Sequence, residues 1–593
     1  MDGLKGMTWE RFEKLKDWQV TAIISVWMLV LLLPGIFQLP LLDRDEPRFS
    51  RATVEMMERS DWIVPTFNGE YRFDKPPLTY WWMAVNYRIF GFNEFGARLH
   101  AVVSSIGVGL LLFFWVRKRY GIGVAVGSVV GWSICLQNLM HGRLALADMP
   151  MILMLAVTHM ALWQRLNKSE TRRFDRNFLI LYGSMGVGFL AKGPIAVFFP
   201  VITVLCYKYL FRRQLKFSSL HVVSGLLMSL AIVAGWGIPA LMSTGGAYWD
   251  EGMGTHVIDR GFKSFNDRII IPGFYIPASL LSLFPVFPVV VAGVIGAVRR
   301  RDDMDAFLLS WAIGPFLIFS FYATQLIHYT LPAFPALMIL GFREMNEARG
   351  KYTGIWHRIY LWIILFAGLA AALFGIYISQ MSVPGEAPAF AASGRELFSV
   401  YLIDIGVVVL SLTGVWYFYW WKNQVAGMLV CAFILGGAMI HAGHHSKTWG
   451  LSRKIGAALE NYSGQEKPAA IGYREPSLVF YANRIWDMSR SDSHIDLSPD
   501  QPLVIKRSEI QLEDFIKGVF VGFDKVRGER ITDSALQQVL GTMRSQNDPN
   551  SDTGIQFIQG LNFARMSLVE VAVVTDPAQL IIELNQTTPV PNE

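Results

Sequence analysis

Asp43, Asp45, Glu46 and Arg48 crowd the end of the first apolar stretch of the chain. Asp74 and Lys75 stand directly before Pro76-Pro77 and an aromatic segment. All lie in DRDEPRFSRATVEMMERSDWIVPTFNGEYRFDKPPLTYWW, residues 43–82. Charges beside hydrocarbon are costly and turn toward one another, toward water or toward a substrate, so their concentration here marks a site at the membrane boundary. A carboxylate such as Asp45, held at low dielectric beside Arg48, stays ionised and can accept a proton or stabilise positive charge at a reacting carbon. Asp also caps helices, but a cap does not require Asp43, Glu46 and Arg48 around it. Asp148, in HGRLALADMPM, repeats the pattern with His141 and Arg143 nearby, and capping is again the plain alternative. Two acidic helix starts on one membrane face imply one shared cavity.

Cations accompany them. Lys75, Lys192 in FLAKGPIA and Arg260 in THVIDRGF lie at the same boundary and suit a phosphate, whose charge they would neutralise through hydrogen bonds. Snorkelling to the interface is the bland alternative. For Lys75 the two following prolines fix the backbone and favour function. Asp74 and His256 are of zinc-ligand type, although their separation is too long to be a motif. His441, His444 and His445 are denser but sit at the exit of the last span, where a solvated turn is expected.

The elements that must hold these groups are membrane helices. Of the 593 residues 52% are hydrophobic and 17% charged, with a mean hydropathy of +0.35, which excludes a soluble fold. Apolar runs near 20–40, 98–116, 122–139, 147–164, 177–191, 194–210, 218–242, 272–298, 306–322, 329–342, 356–378, 398–420 and 425–442 make roughly thirteen spans of the length that ~30 Å of hydrocarbon demands. Arg117-Lys118-Arg119, the 165–176 and 208–216 loops, Arg299-Arg300-Arg301 and the 343–358 loop share one side, read as cytoplasmic; residues 43–82 fall on the other. An odd span count then leaves the N-terminus cytoplasmic and the C-terminal segment outside. This loop bias accounts for the net charge of +6 and the pI near 9.0, so no nucleic-acid partner is implied. The N-terminal apolar stretch lacks a cleavage signal and stays as a span. Cys135, Cys206 and Cys431 lie inside spans as packing residues.

Three regions follow: a helical bundle over 1–443, outside loops at 41–82 and 243–271 within it, and a water-soluble tail over 446–593. In the first loop the spacing from Glu46 to Arg59 predicts an amphipathic helix along the interface, and DWIVPTFNGEYRF predicts turns that return Asp74 and Lys75 to the membrane. In the tail, PAAIGY, PSLVFYA and QPLVIKR read as strands between polar helical stretches such as SEIQLEDFIKGVF and TDSALQQVLGTMRSQ, a small α/β domain. Residues 547–554 read as a surface loop. Gly123, Gly127 and Gly131 let a neighbouring helix approach closely. No internal repeat is visible.

The ordered series DRDEPRFS, SDWIVPTFNGEYRFDKPPLTYW, GRLALADMPM, FLAKGPIAV, THVIDR and QLIHYTLPAFPAL resembles the superfamily of bacterial aminoarabinose transferases and protein mannosyltransferases, the GT-C glycosyltransferases. The resemblance covers about residues 20–345 and extends through PSLVFYANR to the soluble domain of the aminoarabinose branch. It implies a mainly α GT-C bundle that moves a sugar, with inversion, from a polyprenyl-phosphate donor to lipid A, another envelope glycan or a protein. The location implied is the periplasmic side of a bacterial inner membrane. By motif, Asp45 and Asp148 match the two essential acids, and Lys75, Arg48 and Arg260 match positions near the lipid phosphate. Asp74 and His256 match the pair holding a divalent metal, zinc or magnesium or manganese, with no organic cofactor implied. This chain departs from the branch in two places, having Asp74 where Glu is usual before Lys-Pro-Pro and Thr255 where Glu is usual before the outside-loop His.

Three alternatives carry different expectations. Protein O-mannosylation would spare lipid A. A transporter or flippase of lipid-linked sugars predicts mid-membrane charges and repeated broken helices. A scaffold built on a dead enzyme would lose Asp45 or Lys75, and both are present.

Overall fold

The computed structural model describes residues 15–42, 45–167, 172–215, 217–259, 271–347 apart from 272, 355–380, 389–415 and parts of 434–580. Helix α1, Asp17–Leu32, leads to α2, Asp45–Arg59, and a two-stranded hairpin of β1, Thr66–Phe67, and β2, Glu70–Tyr71. Asn68 and Gly69 both have positive φ, as a two-residue hairpin turn requires. Helix α3, Leu78–Phe90, starts after Pro77, and α4, Glu94–Ile134, is capped by Asn93, whose side chain accepts from Gly96 N at 2.9 Å. Gly121, at φ 79°, breaks α4 into two helical pieces.

The bundle continues with α5, Leu136–His141, α6, Asp148–Leu166, α7, Arg176–Lys192, α8, Ile195–Leu205, and α9, Val222–Ser243. Next come α10, Tyr275–Ser282, α11, Phe287–Arg300, α12, Asp303–Ser320, α13, Phe334–Glu347, α14, Ile355–Gln380, and α15, Ala389–Val415. Among the described residues four helical segments, Glu94–Ile134, Phe217–Ser243, Asp303–Ser320 and Gly394–Gly414, are long and apolar enough to cross a membrane, and three shorter ones are apolar. The expected continuous span over 272–298 is two helices, α10 and α11, separated around Pro285, which cannot donate a helical hydrogen bond. Most of 425–442 lies outside the described residues, so a count of thirteen is not established.

Close packing holds the bundle. A Cβ at Gly127 or Gly131 would collide with the Phe342 ring of α13, so only glycine permits that approach. Because α6 and α7 pack as antiparallel neighbours, the start of α6 and the end of α7 return to one end of the bundle. The opposite end carries the ion network of Asp305 with Arg300 (2.8 Å) and Arg343 (2.9 Å), and the pair Arg165–Asp175 (2.6 Å). These are residues of the basic loops that the sequence assigns to one side.

The tail is an α/β unit: α16, Leu451–Ala458, β3, Ala469–Ile471, α17, Pro476–Tyr481, β4, Leu503–Gln511, β5, Glu529–Arg530, β6, Ile555–Asn562, and β7, Ser567–Val574. The sheet order is β3-β4-β7-β6, with β5 also on β4. PAAIGY and QPLVIKR are strands, as expected. PSLVFYA is instead helix α17, started by a proline at its first turn, where the missing N–H is harmless. The SEIQ expected in a helix completes β4, pairing with β7 from Ser508↔Glu570 to Gln511↔Ser567. Residues 532–546 lie outside the described residues except 539–540, as does 547–554 except Gly554.

Candidate active site

Helix α2 starts at Asp45, whose Oδ1 lies 3.8 Å from Arg48 NH1. Both side chains are open, Asp45 at 61% and Arg48 at 37% of full exposure. One turn on, the same helix is buried: Phe49, Ala52 and Met56 pack with Tyr80 and Met83 of α3. The amphipathic reading of Glu46–Arg59 therefore holds, but the apolar side faces protein. The hairpin returns the chain to Arg72, Asp74 and Lys75. Arg72 NH2 donates to Asp74 Oδ2 (2.8 Å), Lys75 Nζ donates to Asp74 Oδ1 (2.7 Å), and Arg72 Nε donates to Tyr80 OH (3.0 Å). Burial opposes the Arg72 charge, but Tyr80, Asp74 and Asp45 outweigh it and hold the guanidinium above its ordinary pKa. The Asp45 carboxylate is thus near enough to act on this cluster. Tyr248 OH donates to Lys75 O (2.8 Å), and Tyr248 meets Phe73 edge-on at 5.3 Å, which fixes the backbone at Lys75.

Asp148 begins α6. The residue before the helix, Ala147, makes no side-chain cap, and the Asp148 carboxylate instead takes a hydrogen bond from Lys192 Nζ at the end of α7. Capping alone therefore does not account for Asp148. His328 Nε2 lies 4.0 Å from Asp148 Oδ1, and the His328 ring lies 4.5 Å from the His141 ring, tilted by 36° to it; His141 Nδ1 meets Gln137 Nε2 at 2.8 Å. Lys192 Nζ lies 5.7 Å from the Tyr329 ring centroid, a cation–π position. His328 belongs to the 3-10 turn Ile327–Ala333 between α12 and α13. Burial first, and His141 next, push its imidazole down to about 3, against the smaller pull of Asp148. Arg143, noted beside Asp148 in the sequence, turns away to the Leu31 carbonyl.

Two bridges bring the clusters together. Glu46, next to Asp45, is buried and accepts from Arg98 Nε and NH2 (2.8 Å each) and from Ala145 N (2.6 Å), tying α2 to the loop that leads into Asp148. Leu190, two residues before Lys192, packs with Phe73 and Trp236 beside Asp74. Asp45, Arg48, Asp74, Lys75, Asp148 and Lys192 therefore line one end of the bundle. Arg260 and the His256 side chain lie outside the described residues. Among the described residues no group of three or more His, Cys, Asp or Glu could hold a metal ion. Both Asp74 oxygens accept from cations, Oδ2 from Arg72 and Oδ1 from Lys75. Sequence reasoning missed Arg72, Tyr80, Tyr248 and His328. The last carried one signal, a histidine inside the Pro-flanked apolar segment LIHYTLPAFP.

The ion-paired rim, open at Asp45 and Arg48 and buried at Asp148, closes one end of a bundle that includes helices long and apolar enough to cross a membrane. The family model for dolichyl-phosphate-mannose-protein mannosyltransferase matches residues 74–238, which include Lys75, Asp148 and Lys192. An undecaprenyl phosphate-α-4-amino-4-deoxy-L-arabinose arabinosyl transferase from Edwardsiella ictaluri is 28% identical over 498 residues, 82% of this chain and 86% of that protein. Its counterpart from Aeromonas salmonicida is 28% identical over 65% of this chain and 68% of its own length. The crystal structure of ArnT from Cupriavidus metallidurans bound to undecaprenyl phosphate superposes with a TM-score of 0.68 at 17% identity, covering 94% of this chain and 98% of that one. The fold is of the GT-C type. The chain is similar to the superfamily of protein mannosyltransferases and aminoarabinose transferases.

Proposed function

We propose that the protein is a multi-pass inner-membrane glycosyltransferase that moves a sugar from undecaprenyl phosphate to lipid A, with 4-amino-4-deoxy-L-arabinose as the sugar and the charged end of the bundle facing the periplasm. The observation that carries this is the joint placement of Arg72–Asp74–Lys75 and Asp148–Lys192–His328 at one end of the spanning helices. A lipid donor reaches a protein sideways from the bilayer, so its phosphate arrives at interface depth, where the clusters sit. The named activity of the arabinosyl transferase relatives supports the donor and the sugar.

The acceptor oxygen forms its bond to the anomeric carbon opposite the leaving phosphate. The old carbon–oxygen bond breaks with its electron pair passing to the phosphate, which inverts the centre. Charge grows on the phosphate as this happens, and Lys75, Arg72 and the open Arg48 are pre-placed cations for it. Arg260 is expected beside them. Asp45, open to solvent at the rim, orients the acceptor or takes its proton when the acceptor is a hydroxyl; a lipid phosphate is already anionic and needs no base. Asp148, held by Lys192, stabilises positive charge at the sugar from the closed side.

The test is deletion of the gene and mass spectrometry of lipid A, with complementation by wild type and by Asp45→Asn. Loss of one sugar from lipid A, restored by wild type alone, is expected. Unchanged lipid A with exported proteins losing hexose would move the assignment to protein mannosylation, the description carried by the family model.

A further inference from the structure

Helix α2 carries Asp45 and Arg48 on its open side, and its other side is gripped by the tail. Asn483, just past α17, accepts a hydrogen bond from Arg51 NH1. Arg51 Nε donates to Glu55 Oε1 at 3.2 Å. The Glu55 carboxylate also accepts from Thr66 Oγ1 (2.8 Å), Asn68 N (2.9 Å) and Gly69 N (3.2 Å) of the hairpin. Asn68 then returns to the tail, donating Nδ2 to Trp486 O (2.9 Å) and accepting from Trp486 N (2.7 Å). The path is a closed ring that leaves the tail at Asn483 and re-enters it at Trp486. At the other end of α2, Tyr481 OH accepts from Leu41 N (2.8 Å) and donates to Glu94 Oε1 (3.1 Å), the carboxylate that also holds Arg453 of α16. Between the two, Phe480 packs in one core with Phe49 and Tyr80.

We infer that the tail is a brace for the reaction, and that Tyr481 and Asn483 are positioning residues that hold α2 and the hairpin in register. This rests on the sugar-transfer reading above. The physical reason is that both halves of the donor-facing rim hang on the ring. Asp45 and Arg48 ride on α2, and Arg72, Asp74 and Lys75 follow directly from the hairpin whose turn Glu55 pins. A buried carboxylate with four partners tolerates little displacement, because any movement strands a polar group in a dry place. Short helices and two-residue strands such as β1 and β2 have little stability of their own, so their position is set by what they pack against.

The test uses the full-length protein in lipid nanodiscs with undecaprenyl-phosphate-linked 4-amino-4-deoxy-L-arabinose and lipid A. Asn483→Ala and Tyr481→Phe are expected to lower kcat by about 10- to 100-fold, the range that a small misplacement of reacting groups produces. Donor KM should change by no more than about twofold, as follows when an interaction made in the transition state is lost. Asn483→Asp keeps the acceptor for Arg51 and should restore kcat. Hydrogen exchange should show residues 45–59 and 66–71 less protected in Asn483→Ala and Tyr481→Phe. Val574→Ala, on the face of the tail's sheet turned away from the core that holds Leu478, Val479 and Trp486, should leave kcat unchanged. An equal loss in Val574→Ala, or wild-type kcat in both Asn483→Ala and Tyr481→Phe, overturns the brace while leaving the transfer reading intact. Absence of turnover in the wild type overturns the transfer reading with these substrates, and the brace then stands or falls on exchange alone, unchanged protection of 45–59 in both variants overturning it.

Discussion

Asp45 and Asp148 are the same residue type in the same local setting, the first turn of a helix at the same end of the bundle, and the protein treats them in opposite ways. Asp45 is open and loosely matched to Arg48 at 3.8 Å. Asp148 is only 10% exposed, locked to Lys192 and overlooked by His328. An open carboxylate contributes little to folding, because water screens it. A buried one must be paired, because an unmatched charge in a dry site is intolerable. Loss of Asp45 should therefore remove chemistry alone, whereas loss of Asp148 should remove chemistry and architecture together.

The largest effect is expected for Asp148→Asn. It leaves the Lys192 ammonium without its partner, a change of the kind that destabilises by ~3–5 kcal/mol, and it should also abolish transfer. A thermal scan in detergent paired with the transfer assay checks both, and a wild-type melting temperature would contradict the buried pair. Next is Asp45→Asn, which should lower kcat by about 100-fold or more, as loss of a proton-handling or charge-stabilising group does. Its stability should stay within ~0.5 kcal/mol of wild type, the usual range for an exposed substitution. If Asp45→Asn melts early, the contrast between the two acids fails.

The third prediction concerns pH. The imidazole of His328 is held at about 3, below its ordinary 6.5, so on acidification the unfolded chain takes up a proton there before the folded protein does. Stability from this residue is present above about 6.5 and declines as pH falls, by up to ~1.4 kcal/mol per unit. His328→Gln should flatten the fall in melting temperature between pH 7.5 and 5; an unchanged slope would remove His328 from the buried cluster. The smallest effect is expected for Arg48→Gln. Its pair with Asp45 is open, so stability should change by less than ~1 kcal/mol, while donor KM rises if Arg48 faces the lipid phosphate. An unaltered KM would restrict the phosphate contacts to the more buried cations.

Much of this was legible in the chain, and the parts that were not share a cause. Asp45, Lys75, Asp148 and Lys192 stand out because a charge beside a spanning apolar run is conspicuous without any coordinates. The lysine at 192 meets the acid at 148 only because α6 and α7 are antiparallel and of matching length, which no local pattern states. Arg72 and Tyr80 look like ordinary loop and aromatic residues until the hairpin folds one onto the other. PSLVFYA reads as a strand because a run of seven apolar and small residues fits either period; Pro476 at its start and its seat against α2 decide for helix. The SLVEVAVV of β7 carries no strand signal in the sequence, because a strand buried along its whole length shows no alternation.

The amino-acid order by itself determined that the protein lives in a membrane and which acids and amines gather at one boundary, since hydropathy and charge act locally along the chain. Only the tertiary structure decided which acid is open and which is locked, that both Asp74 oxygens are engaged by neighbouring cations, and that the tail grips α2. Those outcomes depend on pairings between residues as far apart as Leu41 and Tyr481, and burial, which sets the strength of every ionic contact, exists only once the chain is packed.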